Sequence, residues 1–136
     1  MKEKTIFEKI VDREIPARIL YEDEKHLAFL DIGPFEKGHT LVIPKYPYVT
    51  VFDMSEDEYV ELQRVVHRVA MHMRKKMNCG LNIHQNNLPI ARQDVPHVHF
   101  HVIPRLEDKD TYHPENHVEY KDDAEADQFL ELLKIG

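Results

Sequence analysis

The chain has a single cysteine, Cys79, among its 136 residues. An internal disulfide is excluded, and so is a zinc site of the CxxC kind. Glycine is scarce too, at four residues, which argues against a cupin-like barrel of many short strands and tight turns. No apolar run reaches the roughly 20 residues needed to span a bilayer. The opening Met-Lys-Glu-Lys-Thr lacks the apolar centre of a secretory signal. No basic surface is evident either: the formal net charge is −7, and the densest cationic cluster is Arg74-Lys75-Lys76. That cluster falls at the end of a predicted helix, where it complements the helix dipole. Nucleic acid and membrane are therefore excluded as main partners. What remains is one domain spanning residues 1–136, with 42% hydrophobic and 32% charged residues. It is expected in the cytoplasm, and also in the nucleus if the source is a eukaryote.

Histidine, by contrast, is plentiful, at ten residues. Three of them fall at i, i+2 and i+4 in Pro96-His97-Val98-His99-Phe100-His101-Val102-Ile103-Pro104. A β-strand sends alternate side chains to opposite faces, so this spacing stacks three imidazoles on one side and buries Val98, Phe100 and Val102 on the other. A helix would scatter the same residues around its circumference. Imidazole can act as nucleophile, proton carrier or metal ligand near neutral pH. Three on one rigid face form a candidate site, whereas His26, His67, His72, His84, His113 and His117 read as ordinary single histidines.

Around this segment the pattern predicts an α+β domain with a five-stranded antiparallel sheet. A short helix covers Ile6 to Val11, and strands run over Ala17–Tyr21, His26–Ile32 and His39–Pro44. Ser55 with Glu58 reads as a capping box that opens a long helix to about Met77, stopped by Cys79-Gly80. Its buried stripe is Leu62, Val65, Val66, Val69, Ala70 and Met73, with Val60, Met71 and Met77 as surplus apolar residues beside it. Strands over Leu81–Asn86 and Val95–Ile103 follow, then an irregular stretch and a terminal helix from Ala124 to Lys134. The loop from Asn86 to Asp94 carries unusually many polar groups for a hairpin, as binding loops do.

These segments together resemble the histidine-triad (HIT) superfamily, over residues 4–105. The signature His-φ-His-φ-His-φ-φ appears as HVHFHVI, preceded in order by IFEKIVDREIPARILYED, LAFLDIGPFEKGHTLVIPK and the segment from Asn86 to Gln93. The N-terminal segment resembles the nucleotide-binding, phosphoramidase-like branch, and the extension over 106–136 resembles bacterial-type members. The resemblance implies cleavage of nucleoside 5′-phosphoramidates or related purine nucleotide conjugates through a nucleotidyl-histidine intermediate on His99. It places His97, His101 and His39 beside that nucleophile. Asp31 would hold the ribose, Ile6, Phe7, Ile10, Phe29 and Ile32 the base, and Asn86, Gln93 and Asp94 the phosphate and leaving group. It also implies a homodimer in which two five-stranded sheets join into a continuous ten-stranded sheet. The alternating strand from Leu81 to Asn86 would otherwise leave an open edge.

The chain departs from the family pattern at several positions. Thr5 and Glu8 stand where many members carry zinc-binding cysteines, and Pro47 stands where they often carry histidine. No metal or other cofactor is expected. Arg92 replaces a small residue, typically glycine, and Asp94 brings a carboxylate where some branches use Ser or Thr. Two other readings are a nucleotide-binding interaction protein with vestigial hydrolysis and a histidine-ligated metalloenzyme.

Overall fold

The computed structural model describes residues 3–108 and 117–136, so His113 lies outside the described residues. The elements run α1 (Ile6–Val11), β1 (Ile19–Glu22), β2 (His26–Leu30), β3 (Thr40–Pro44), α2 (Glu56–Met77), β4 (Gly80–His84), β5 (Phe100–Arg105) and α3 (Asp123–Leu133). Five strands form one sheet in the order β1-β2-β3-β5-β4, and every neighbouring pair is antiparallel. The fold is α+β, with β1 and β4 at the edges.

The alternation of side chains along the strands divides the core in two. Ala28, Leu30, Val42, Phe100 and Val102 face α2 and pack with its Leu62, Val65, Val66, Val69 and Met73. Leu27, Phe29, Leu41 and Ile43 face the other way and pack with Phe7 and Ile10 of α1. That second face is only partly covered, because α1 has just six residues. His39 and His101 share the parity of this open face, which is why a site can form there.

Local chemistry accounts for the helix ends. Ser55 and Glu58 make the reciprocal capping box that opens α2. The helix ends at Met77 as expected, but the residue that stops it is Asn78 rather than Cys79-Gly80, in the left-handed conformation at φ 48° and ψ 51°. Asparagine tolerates that region better than other non-glycine residues. Met77 turns inward against the α2 core and so leaves the surplus apolar set, whereas Val60 and Met71 are exposed.

The expected strand over Val95–Ile103 requires correction. Ladder pairing begins only at Phe100, so His97 and His99 precede β5. Pro44, at the end of β3, uses its carbonyl to accept from the His97 ring at 2.8 Å. The Val98 N–H is drawn to the carbonyl of Tyr48 at 2.8 Å, outside the sheet. With these groups occupied, the ladder cannot extend through the first two histidines.

Candidate active site

Ring packing keeps the three histidines together despite the missing ladder. The ring of Phe7 meets His97 and His99 edge-on at 5.8 and 5.0 Å, and His99 meets His101 at 5.0 Å. His97 and His99 are buried, and His101 is partly so. Backbone groups of fixed polarity then determine which nitrogen of each ring carries its proton. A carbonyl can only accept, so the His97 Nε2–H donates to Pro44 and the His99 Nδ1–H donates to the His97 carbonyl at 2.7 Å. The His99 Nε2 is thereby left as the atom turned to the site.

A second chain fixes His101. The Phe35 backbone N–H donates to His39 Nδ1 at 3.1 Å, so a neutral His39 must carry its proton on Nε2. That Nε2 lies 2.9 Å from His101 Nδ1, which must accept. His101 is left with an Nε2–H, a donor for a developing negative charge. Burial, with the positive charge of neighbouring histidines opposing a second proton, lowers His39 to about 3 and His101 to about 2. Both are neutral at pH 7. Burial also lowers His97, against the carbonyl of Pro44, which favours its charged form.

Two carboxylates flank the histidines. Asp31 directly follows β2: its Oδ1 accepts from the Gly33 N–H at 2.8 Å, and its Oδ2 lies 3.7 Å from His39 Nε2. Burial raises its carboxyl, and the Gly33 bond partly opposes that shift. A cavity of about 940 Å³ adjoins it, with Ala17, Arg18, Ile32, Tyr120 and Ala126 among its walls. Asp94 places Oδ1 3.3 Å from His99 Nε2, with its own side chain 78% exposed. The His99 ring beside it holds the Asp94 carboxyl well below the usual carboxylate range, against the opposing effect of burial.

The histidine arrangement and its surrounding fold have counterparts in known proteins. The HIT domain family matches residues 12–108. The chain belongs to the HIT family. It is 49% identical over 102 residues to an uncharacterized HIT-like protein of Methanocaldococcus jannaschii, covering 75% of this chain and 79% of that one. The adenosine 5′-monophosphoramidase of Saccharomyces cerevisiae is 40% identical over 104 residues, covering 76% of this chain and 64% of the yeast protein. A solved structure of a Hit-like protein from Bartonella henselae superposes with a TM-score of 0.85 at 29% identity, covering 98% of this chain and 97% of that one.

The departures from the HIT pattern have local explanations. Thr5 and Glu8, at the positions of the family's zinc cysteines, cap each other across the start of α1, with bonds of 3.1 and 3.2 Å. Arg92, where a small residue is usual, sits at φ 68° and ψ 30°, a conformation that favours glycine. Asp31, His39 and His101 bring potential ligand atoms within 4.8 Å of one another. Within this group His39 Nε2 and His101 Nδ1 share a hydrogen bond of 2.9 Å.

Other site positions fall into distinct surroundings. Phe7, Ile10 and Phe29 are buried in the core below the open face, while Ile6 is 41% and Ile32 84% exposed. Gln93 is buried, and its side-chain amide accepts from Leu88 N–H at 2.7 Å and donates to the Val49 carbonyl at 2.6 Å. It holds the loop rather than facing the site with its amide. Asn86 donates to the Arg92 carbonyl at 3.3 Å within the same loop.

Three site residues escaped the sequence reading. His84, read as an ordinary single histidine, stacks on His101 at 4.3 Å and pairs with it across β4 and β5. Correct strand register would have revealed it. His117 stacks on Phe35 at 4.4 Å, and Phe35 stacks on His39 at 5.7 Å. No local signal marks either residue, because both contacts depend on tertiary placement.

Among the described residues, no helix is long and apolar enough to cross a membrane.

Proposed function

We propose that the chain is a nucleotide hydrolase of phosphoramidase type, acting on nucleoside 5′-phosphoramidates or related purine nucleotide conjugates through His99. The observation that carries this reading is the bond from His99 Nδ1–H to the His97 carbonyl at 2.7 Å, which leaves Nε2 as the nucleophilic atom. Nε2 bonds to the α-phosphorus as the phosphorus–nitrogen bond breaks, and the leaving nitrogen takes a proton from solvent water and departs as an amine. Water then displaces the imidazole, releasing the nucleoside monophosphate, and the proton that this attacking water releases goes back to solvent. The His101 Nε2–H is suited to stabilise the charge on the phosphoryl oxygens, with His39 holding its tautomer. His97 packs beside the nucleophile and supplies the carbonyl that orients it.

In this reading Asp31 accepts from the ribose hydroxyls through the oxygen not bound to Gly33. Ile6 and Ile32 provide exposed apolar contacts for the base, over a floor of Phe7, Ile10 and Phe29. The loop carrying Asn86, Gln93 and Asp94 borders the phosphate and leaving group, with Gln93 acting through the loop it holds. The adenosine 5′-monophosphoramidase name of the yeast relative supports the reaction class. No step requires a metal. A homodimer joined through β4 and α2 fits the edge position of β4 and the exposure of Ile83, Val60 and Met71.

The test is turnover of adenosine 5′-phosphoramidate by the unaltered protein and by His99→Ala, in the presence of EDTA. Removing the nucleophile should abolish turnover by several orders of magnitude while AMP still binds. A near-normal rate in His99→Ala, or loss of wild-type activity in EDTA, would overturn the reading. The Asp94 carboxylate beside the nucleophile also favours a second reading, a nucleotide-binding interaction protein with slow chemistry. Tight AMP binding with negligible wild-type turnover would select it.

A further inference from the structure

We propose that the C-terminal segment positions the catalytic histidines: His117 and Tyr120 hold the loop between β2 and β3 so that the Phe35 amide fixes the tautomers of His39 and His101. The tautomer assignment rests on hydrogen bonds alone. Its connection to catalysis rests on His101 acting as the phosphoryl donor proposed above.

At its two ends the loop from Gly33 to Gly38 is tied by the Asp31 carboxylate on the Gly33 N–H, the His39 N–H on the Glu36 carbonyl at 3.0 Å and the Thr40 hydroxyl on the Gly38 carbonyl at 2.9 Å. The C-terminal segment grips it along most of its length. The Val118 N–H donates to the Pro34 carbonyl at 2.8 Å, and the Gly38 N–H donates to the Tyr120 hydroxyl oxygen at 2.9 Å. The His117 ring lies on Phe35 at 4.4 Å with an interplanar angle of 13°. Lys37 meets Glu125 of α3 at 2.9 Å. Gly38 takes φ 99°, and a side chain there would meet Met77, Leu133 and Pro104 at 3.3–3.4 Å, so the end of the loop is seated closely against the domain. Phe35 is therefore held through its ring, which stacks on both His117 and His39, and by its chain neighbours.

This grip matters because the two neutral forms of imidazole are near in free energy. A single N–H donor can decide between them. The Phe35 bond to His39 is 3.1 Å, and a shift of a few tenths of an ångström would weaken it. His39 could then move its proton to Nδ1 and present a lone pair to His101. His101 would answer with its own proton on Nδ1, and Nε2 would lose its donor. The proton count of the pair is unchanged, yet the group facing the phosphate changes from donor to acceptor.

The experiment compares the full-length protein with the double variant His117→Ala/Tyr120→Phe. Long-range proton–nitrogen NMR reads each imidazole tautomer, with His39→Gln and His101→Gln used to assign the signals. The unaltered protein should show both rings with the proton on Nε2. The double variant should show a substantial Nδ1–H population at His101 and a fall in kcat of about three- to ten-fold, with KM nearly unchanged. His117→Phe keeps a ring on Phe35 and should retain the wild-type tautomer. If the double variant does not fold, Tyr120→Phe alone should produce a smaller shift in the same direction. An unchanged tautomer in a folded variant would overturn the proposal, as would a lower kcat with the tautomer intact. Absence of phosphoramidate turnover in the unaltered protein would instead defeat the functional reading, leaving the NMR result to judge this one.

Discussion

Replacing Asp94 with asparagine should make the proposed enzyme faster. The Asp94 carboxylate lies 3.3 Å from His99 Nε2, the atom that would bond to phosphorus. It is held ionised by that contact, so it stays negative across the pH range of an assay. A bound phosphoryl oxygen would stand about 5 Å from it, where two unit charges repel by about 3 kcal/mol at an effective dielectric of 20 and by about 0.8 kcal/mol in water. The side chain is 78% exposed, so screening favours the lower figure, about 1 kcal/mol. That corresponds to a gain of about five-fold in kcat/KM. The assay is release of AMP from adenosine 5′-phosphoramidate by Asp94→Asn and the unaltered protein, at low salt and at 1 M salt. The gain should shrink at high salt, where the screening length is about 3 Å. A ten-fold or greater loss would refute the electrostatic account and assign Asp94 to proton transfer. A gain independent of salt would also refute it.

Further outcomes follow from the same geometry. Asp31→Ala should weaken binding of AMP by about 1–3 kcal/mol and weaken the 2′-deoxy nucleotide much less; equal losses would confine Asp31 to its turn-capping bond with Gly33. Stability should fall as pH drops from 6.5 toward 4, because the unfolded chain takes up protons at His39 and His101 that the folded chain refuses. Each can contribute up to about 1.4 kcal/mol per pH unit, so the melting temperature should decline in that window and His39→Gln should flatten the slope; a constant melting temperature would contradict it. Light scattering at micromolar concentration should report about twice the 16.2 kDa chain mass, and a strictly monomeric protein would show that the β4 edge is protected in another way.

The sequence by itself determined what local chemistry controls. The α2 capping box, the buried stripe beginning at Leu62 and the alternation along β2 and β3 are short-range patterns, and each reports directly on one element. The HVHFHVI run likewise announced a histidine site, because its spacing and apolar partners are unusual without one. Its local conformation was less legible. His97 and His99 lie outside β5 because groups a ladder would use are taken by distant partners: the His97 ring occupies the Pro44 carbonyl, and the Tyr48 carbonyl takes the Val98 N–H.

Tertiary structure alone decided the chemistry of each ring. Which nitrogen carries a proton depends on the group opposite: Phe35 N–H for His39, His39 Nε2 for His101, and the His97 carbonyl for His99. Burial, which makes His39 and His101 neutral, is likewise a property of the packed domain. His84 and His117 look alike in sequence to His67, yet one stacks on the triad and the other on the residue that sets its tautomers. Side-chain type and spacing are carried by the chain, whereas hydrogen-bond direction and desolvation arise only when distant segments meet.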